Sequence, residues 1–138
     1  MMDRMGRSTM ASSKVVVAQG EPEMLDVIRL NLEQAGYDPL VTGDGVQAYE
    51  AIEGGEAAAI ILDLNLPVIS GFRLVKLIRR DPKWKTIPVI VTSAYSCEEV
   101  EDIFSEGIDG FITRPFSPEE LMSRLQWAMS KERQLVAS

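Results

Sequence analysis

Four apolar runs of this chain stop at polar residues of different types, and those residues are where chemistry can happen. KVVVA (14–18) stops at Gln19-Gly20, AAAIIL (57–62) at Asp63, PVIVT (88–92) at Ser93 and GFIT (110–113) at Arg114. A carboxylate at the end of a buried run is costly unless a charge or a hydrogen-bond donor meets it. Ser93 can donate its hydroxyl to an oxyanion, and the guanidinium of Arg114 can grip one. Each residue also has a plainer reading. Asp63 can brace a loop or cap a helix, Ser93 can cap a strand end, and Arg114 can be a surface charge. Pro115 turns the chain after Arg114 and is compatible with a cis bond.

The elements that would position these residues alternate along the chain. Strands are expected over 14–18, 38–42, 58–62, 88–92 and 110–113. A helix over 22–35 follows from Met24, Ile28, Leu32 and Ala35 at helical spacing, with Gly36 as its stop. A second, over 44–53, is capped by Asp44 and ends at Gly54-Gly55. The third, over 71–80, places Phe72, Val75 and Ile78 on one side and ends before Pro82. Ser96-Cys97-Glu98-Glu99 opens a fourth as a capping box and buries Val100, Ile103 and Phe104. Ser117-Pro118-Glu119-Glu120 opens the last in the same way, with proline at its first position. Five such βα units imply an α/β fold, a doubly wound parallel sheet with helices on both faces. Ligands in open sheets of this kind sit outside the carboxyl ends of the strands. All four polar stops lie there.

Composition narrows the function. At 138 residues the chain fits one domain, expected over 14–131, behind a disordered leader (1–13) and before a short tail (132–138). Met5 or Met10 is an alternative start. A net charge of −7 argues against nucleic acid as a partner. The apolar runs are too short to span a bilayer, the first residues make no signal peptide, and a cytoplasmic location is expected. With no histidine, imidazole catalysis and most zinc sites are excluded. The one cysteine, Cys97, cannot form an internal bridge and suits a reducing compartment. An inert thiol is its plainer reading, a redox switch the sharper one. Residues 71–85 carry Arg73, Lys76, Arg79, Arg80, Lys83 and Lys85 against Asp81 alone. Residues 97–109 carry Glu98, Glu99, Glu101, Asp102, Glu106 and Asp109 and no base. These runs read as two solvated helix faces of opposite sign, or as electrostatic selection of a partner.

Together the motifs resemble the receiver domain of bacterial two-component response regulators, over residues 14–131. DLNLPVISG (63–71) is similar to the family's phosphoacceptor motif, PVIVTSA (88–94) to its hydroxyl motif and GIDGFITRPF (107–116) to its last-strand motif. The resemblance implies the flavodoxin-like five-stranded sheet with five helices, strand order 2-1-3-4-5. It also implies Asp63 as phosphoacceptor, Asn65 as a backbone metal ligand, Ser93 and Arg114 as phosphate-contacting residues and Phe111 as the switch aromatic. Two positions depart from the pattern. Where the family has an acidic pair holding Mg²⁺, this chain has Gln19 and Gly20, and where it has lysine, this chain has Arg114.

These departures weaken the expected metal site. Mg²⁺ takes hard oxygens from one or two carboxylates plus water and phosphate. Asp63 is one carboxylate, the Asn65 carbonyl is neutral, and Gln19 adds at best a neutral oxygen. Glu21 stands one residue late and is expected to cap the first helix beside Pro22. No cofactor is therefore expected beyond a weakly held Mg²⁺. Arg114 is expected to lock onto Asp63, or else to grip a phosphoryl group in place of the missing cation.

Three functions compete. An atypical receiver would dock proteins with weak or absent Mg²⁺-dependent phosphorylation. A conventional one would accept phosphate on Asp63 from a histidine kinase. A small phosphatase with Asp63 as nucleophile would need a second acid where Asn65 stands, and a flavodoxin-like redox protein would need a phosphate loop that QGEP (19–22) does not supply. Expected partners are a sensor histidine kinase, another signalling protein, or a second copy through the fourth helix, last strand and last helix. On that last helix Trp127 falls outside the core stripe of Leu121, Leu125 and Ala128, as a docking residue or packed flat on its own domain. No output domain follows residue 131, so output is expected through a separate protein or self-association.

Overall fold

The computed structural model describes residues 13–94 and 100–137. Its elements alternate as β1 (Lys14–Ala18), α1 (Pro22–Gln34), β2 (Asp38–Thr42), α2 (Gly45–Glu53), β3 (Ala57–Asp63), α3 (Gly71–Arg80), β4 (Val89–Ser93), α4 (Val100–Ser105), β5 (Gly110–Thr113) and α5 (Pro118–Ala137). The strands form one parallel sheet in the order β2-β1-β3-β4-β5. This is the expected doubly wound arrangement.

Alternation along the strands builds two cores. Val15, Val17, Ala59, Ile61, Ile90 and Ile112 face α1 and α5, meeting Ile28, Leu32, Leu121 and Leu125. Val16, Ala18, Ile60, Leu62, Val89 and Val91 face the other way, meeting Ala48, Ile52, Leu74, Val75, Ile78 and Ile103. The central strand β3 is buried on both faces, which is why its sequence is a run rather than an alternation.

Several boundaries move for physical reasons. β3 gains a residue at each end, because Ala57 aligns with Lys14 of β1 and Asp63 with Thr92 of β4. β4 begins at Val89 rather than 88, since Pro88 has no N–H to give the ladder. Asp44 caps α2 as expected, accepting from Gln47 N at 2.9 Å. Ser117 caps α5 by accepting from Glu120 N at 3.1 Å. At the end of α1 the chain turns through Gly36 at φ 91°, a conformation that suits glycine. α5 continues past residue 131 to Ala137. Most of the leader (residues 1–12) and the capping box at Ser96–Glu99, with Cys97, lie outside the described residues.

Two expectations need correction. Phe104 is not buried: it is 49% exposed and its ring sits 5.9 Å from that of Phe111. The two charge runs are neither plain solvated faces nor free for a partner throughout. They join each other, through Arg79–Asp109 at 3.2 Å and Arg80–Glu106 at 4.0 Å. Arg79 makes the more elaborate contact. Its Nε donates to Gly107 O (2.9 Å), and Nη1 donates to Trp84 O (3.2 Å) and Ile87 O (2.7 Å). Asp109 completes the clasp by also accepting from Val89 N at 2.9 Å. Among the described residues, no helix is long and apolar enough to cross a membrane.

Candidate functional site

Asp63 ends β3, and the chain leaves the sheet immediately. Leu64 N still donates to Thr92 O at 2.9 Å, and Asn65 N then turns back to donate to Asp63 Oδ1 at 3.0 Å. The second bond closes a local Asx turn that fixes the carboxylate. The loop returns to start α3 at Gly71, whose N donates to Leu64 O at 2.9 Å. A Cβ on Gly71 would lie 2.2 Å from Asp63 O, so only glycine lets the helix begin this close to the strand end. Within the loop Val68 has φ 71°, and Ile69 N donates to Pro67 O at 2.8 Å. That is a γ-turn with a β-branched residue at its centre, a strained arrangement.

The last strand delivers Arg114 to the same place. Its backbone N donates to Ser93 O at 2.7 Å, and the Arg114-Pro115 bond is cis. Its guanidinium lies between two carboxylates, with Nη1 3.0 Å from Glu21 Oε1 and Nη2 3.5 Å from Asp63 Oδ2. Glu21 therefore does something other than expected. It stands at the N-cap position of α1 without a side-chain capping bond, and its carboxylate reaches across to Arg114 instead. The ionic partner outcompetes the cap because a charge-assisted bond to a guanidinium is the stronger one. Both oxygens of Asp63 are thus engaged, one by Asn65 N and one by Arg114. Arg114 Nε is buried without a partner.

Gly20, Glu21, Asp63, Asn65, Pro67, Ala94 and Arg114 line a cleft of about 310 Å³. Ser93 is buried beside it, with Ala94 forming the wall there. Gln19 is also buried, and its Nε2 donates to Thr92 Oγ1 at 2.9 Å across the end of β3. Its Oε1 is buried without a partner, shut away from solvent. Phe111, half-buried on β5, packs against Phe104 and the core, away from this lining. Trp127 is 57% exposed on α5. The structure thus gathers Gly20, Asp63, Asn65 and Arg114 in one cleft, with Gln19 and Ser93 behind its walls.

One residue and one contact of the site escaped the sequence reading. Thr92 shares the strand parity of Ile90, which places it on the Gln19 side of the sheet, so period two held a usable signal. The reach of Glu21 to Arg114, 93 residues away, had none.

The donors can be tested against the Mg²⁺ ion that the resemblance implies. One carboxylate, Asp63, and one backbone carbonyl, Asn65, are at hand, while Glu21 is held by Arg114 and Gly20 offers no side chain. Among the described residues no three His, Cys, Asp or Glu side chains group to hold a metal. The permanent charge of Arg114 3.5 Å from Asp63 further disfavours a second cation. This donor set does not fit Mg²⁺.

The sequence profile of the response regulator receiver domain matches residues 15–126. The chain belongs to that family. As a receiver it is 31% identical over 116 residues to the DNA-binding dual master transcriptional regulator RpaA of Synechocystis, covering 82% of this chain and 47% of RpaA. It is 30% identical to chemotaxis protein CheY1 of Helicobacter pylori, covering 82% of this chain and 94% of CheY1. The receiver spans about half the length of the transcriptional regulators it matches. Chemotaxis regulator CheY4 of Vibrio cholerae superposes with a TM-score of 0.78 at 29% identity, covering 87% of this chain and 99% of that one. The receiver domain of sensor histidine kinase PA1611 from Pseudomonas aeruginosa superposes with a TM-score of 0.79 at 26% identity, with the same coverage, and that domain has a magnesium ion coordinated in its active-site cleft. Receiver domains are signalling modules of two-component systems, not classical enzymes, and they interact with histidine kinases and other signalling proteins.

Proposed function

We propose that this receiver acts as a protein-docking module in which Mg²⁺-dependent phosphorylation of Asp63 is weak or absent. The observation that carries the reading is the guanidinium of Arg114, held 3.0 Å from Glu21 and 3.5 Å from Asp63. Phosphoryl transfer to a carboxylate sets negative oxygens against a negative nucleophile, and electrostatic stabilisation supplies most of the catalysis. Losing ~3 kcal/mol of metal stabilisation slows such a step roughly a hundredfold. Arg114 supplies a fixed charge here, but it occupies one oxygen of the nucleophile, so it locks the site in one state. Output passes through docking, to a sensor histidine kinase, another signalling protein or a second copy. The surface proposed for it is built from α4, β5 and α5, where Phe104 and Trp127 are half exposed.

The test is intact-mass analysis after incubation with acetyl phosphate and Mg²⁺. The expected result is little or no acyl-phosphate adduct, with partner binding unchanged in Asp63→Asn. Rapid Mg²⁺-dependent labelling that disappears in Asp63→Asn overturns the reading in favour of a conventional phosphorylated receiver. Labelling that needs Arg114 but not Mg²⁺ overturns the locking role and assigns Arg114 to gripping the phosphoryl group. Restoring acids with Gln19→Asp and Gly20→Asp is expected to raise Mg²⁺ affinity. Space allows the second change, since a Cβ on Gly20 would rest 3.5 Å from Pro67 Cδ, an ordinary contact.

A further inference from the structure

Two helices of this chain repeat one pattern with opposite charge. On α1, Asp26, Leu30 and Glu33 stand at i, i+4 and i+7, and on α3, Arg73, Leu77 and Arg80 stand at the same spacing. That spacing sets the three residues of each helix on one face. Both faces point outward. All six residues are exposed, Leu30 to 49% and Leu77 to 38%. A single exposed leucine needs no explanation. Here each leucine sits between two like charges, and the charges on one helix oppose those on the other.

Neither face is neutralised within the molecule. Arg29 bridges Asp26 at 3.4 Å and Glu33 at 3.0 Å, taking one oxygen of each carboxylate. Glu23, in the first turn of α1, pairs with no base among the described residues. α3 contains no acid, and Lys76, 4.5 Å from the centre of the Phe72 ring, adds a further positive charge. Arg80 is 71% exposed and reaches Glu106 only at 4.0 Å. The two faces cannot meet inside one chain. α1 packs on the side of the sheet that holds Leu121 and Leu125, and α3 on the side that holds Ala48 and Ile52. With the sheet between them, they can meet only across two molecules.

We propose that this chain associates with itself head to tail, α1 of one copy lying on α3 of the next. Leu30 meets Leu77, while Asp26 and Glu33 meet Arg73 and Arg80. The equal spacing lets all three contacts form together in either helix direction. Reversal offsets the charges by one residue's rise, about 1.5 Å. The contact is heterologous, so it does not close as a two-fold dimer. A contact of two helix faces belongs with small, transient interfaces, with a Kd on the order of 0.1 mM. It uses neither the Asp63 cleft nor the α4–β5–α5 surface, and it does not depend on whether Asp63 is phosphorylated.

Sedimentation velocity of the full chain, at concentrations bracketing that value, is expected to show association that weakens in raised salt. Two paired variants dissect it, Asp26→Asn with Glu33→Gln and Arg73→Gln with Arg80→Gln. All four residues are exposed, so both variants are expected to fold normally. Each is expected to self-associate about tenfold more weakly, the worth of two exposed ion pairs. A head-to-tail contact makes a sharper demand. Each variant keeps one intact face, so the two mixed are expected to form a 1:1 complex at the wild-type affinity. An unchanged sedimentation coefficient across the wild-type series overturns the proposal, as does a mixture that binds no tighter than its components. Association that survives both variants and falls in Trp127→Ala belongs to the α4–β5–α5 surface and overturns it as well.

Discussion

Each end of the sheet holds an arginine–aspartate pair, and the two pairs are built differently. At the amino end, Arg79 gives Nε and both amino groups to three carbonyls and to Asp109, which itself receives a backbone N–H. At the carboxyl end, Arg114 reaches Glu21 and Asp63 but leaves Nε buried without a partner, and Gln19 Oε1 close to the same strand ends is unpartnered too. A buried charge repays its desolvation only when its remaining hydrogen bonds are satisfied. The first pair meets that condition and holds loops together. The second does not, and it surrounds the one carboxylate whose position suits chemistry. Incomplete satisfaction, more than the ion pair itself, distinguishes this candidate site from a structural clasp.

Removing the two arginines tests this contrast most severely. Arg79→Met takes the guanidinium from Asp109, which keeps only the Val89 N–H, and a donor from each of three carbonyls, and is expected to cost about 3–5 kcal/mol in urea denaturation. Arg114→Met is expected to cost only about 1–2 kcal/mol, because Asp63 keeps the Asn65 N–H and Glu21 lies 66% exposed to water. Equal losses would break the comparison. The acids sharpen it: Asp109→Asn is expected to cost about 2 kcal/mol, whereas Asp63→Asn changes stability by less than about 0.5 kcal/mol. A large loss for Asp63→Asn would mean that the upper pair is structural after all.

Val68→Gly comes next in size. At φ 71° valine is strained and glycine is not, so the variant is expected to gain about 1 kcal/mol of stability. A loss on substitution would show the loop relaxing around valine.

The smallest effect belongs to an exposed pair, Lys14 and Glu56. A hydrogen bond from Lys14, and then its charge, hold the Glu56 carboxyl below its ordinary 4.5. A depressed value in the folded state means a contribution present above pH 4.5 and lost as pH falls through the lower folded value. An NMR titration of Glu56 is expected to move up toward 4.5 in Lys14→Met. An unchanged titration would remove Lys14 as the cause.

How far the sequence could be read follows the range of each interaction. Strand periods and capping residues such as Asp44 and Ser117 act within a few residues, so the order of elements and the placing of Asp63 at a strand end were legible. Gly71 was legible as a motif residue, although its reason, the approach to Asp63 O, needed coordinates. Contacts across the fold were not. Nothing local in Gln19 points to Thr92, 73 residues on, and nothing in Glu21 distinguishes a helix cap from a partner of Arg114. The charge runs misled in the same way. Runs of one sign resemble solvated faces until the fold brings Arg79 to Asp109, 30 residues away.

α3 connects the two pairs. Its first residue, Gly71, rests on the carbonyl of Asp63 with no side chain between them, and its next-to-last, Arg79, is locked into the lower clasp. Ten residues of helix make a rod about 15 Å long. A displacement of the Asp63 peptide therefore meets the rod without slack, and the far end is anchored to the turn that starts β5. Since β5 returns to the upper cleft carrying Arg114, the molecule contains a closed mechanical loop. Asp63 and its counter-ion Arg114 are thus joined twice, directly across the cleft and the long way round through α3 and β5.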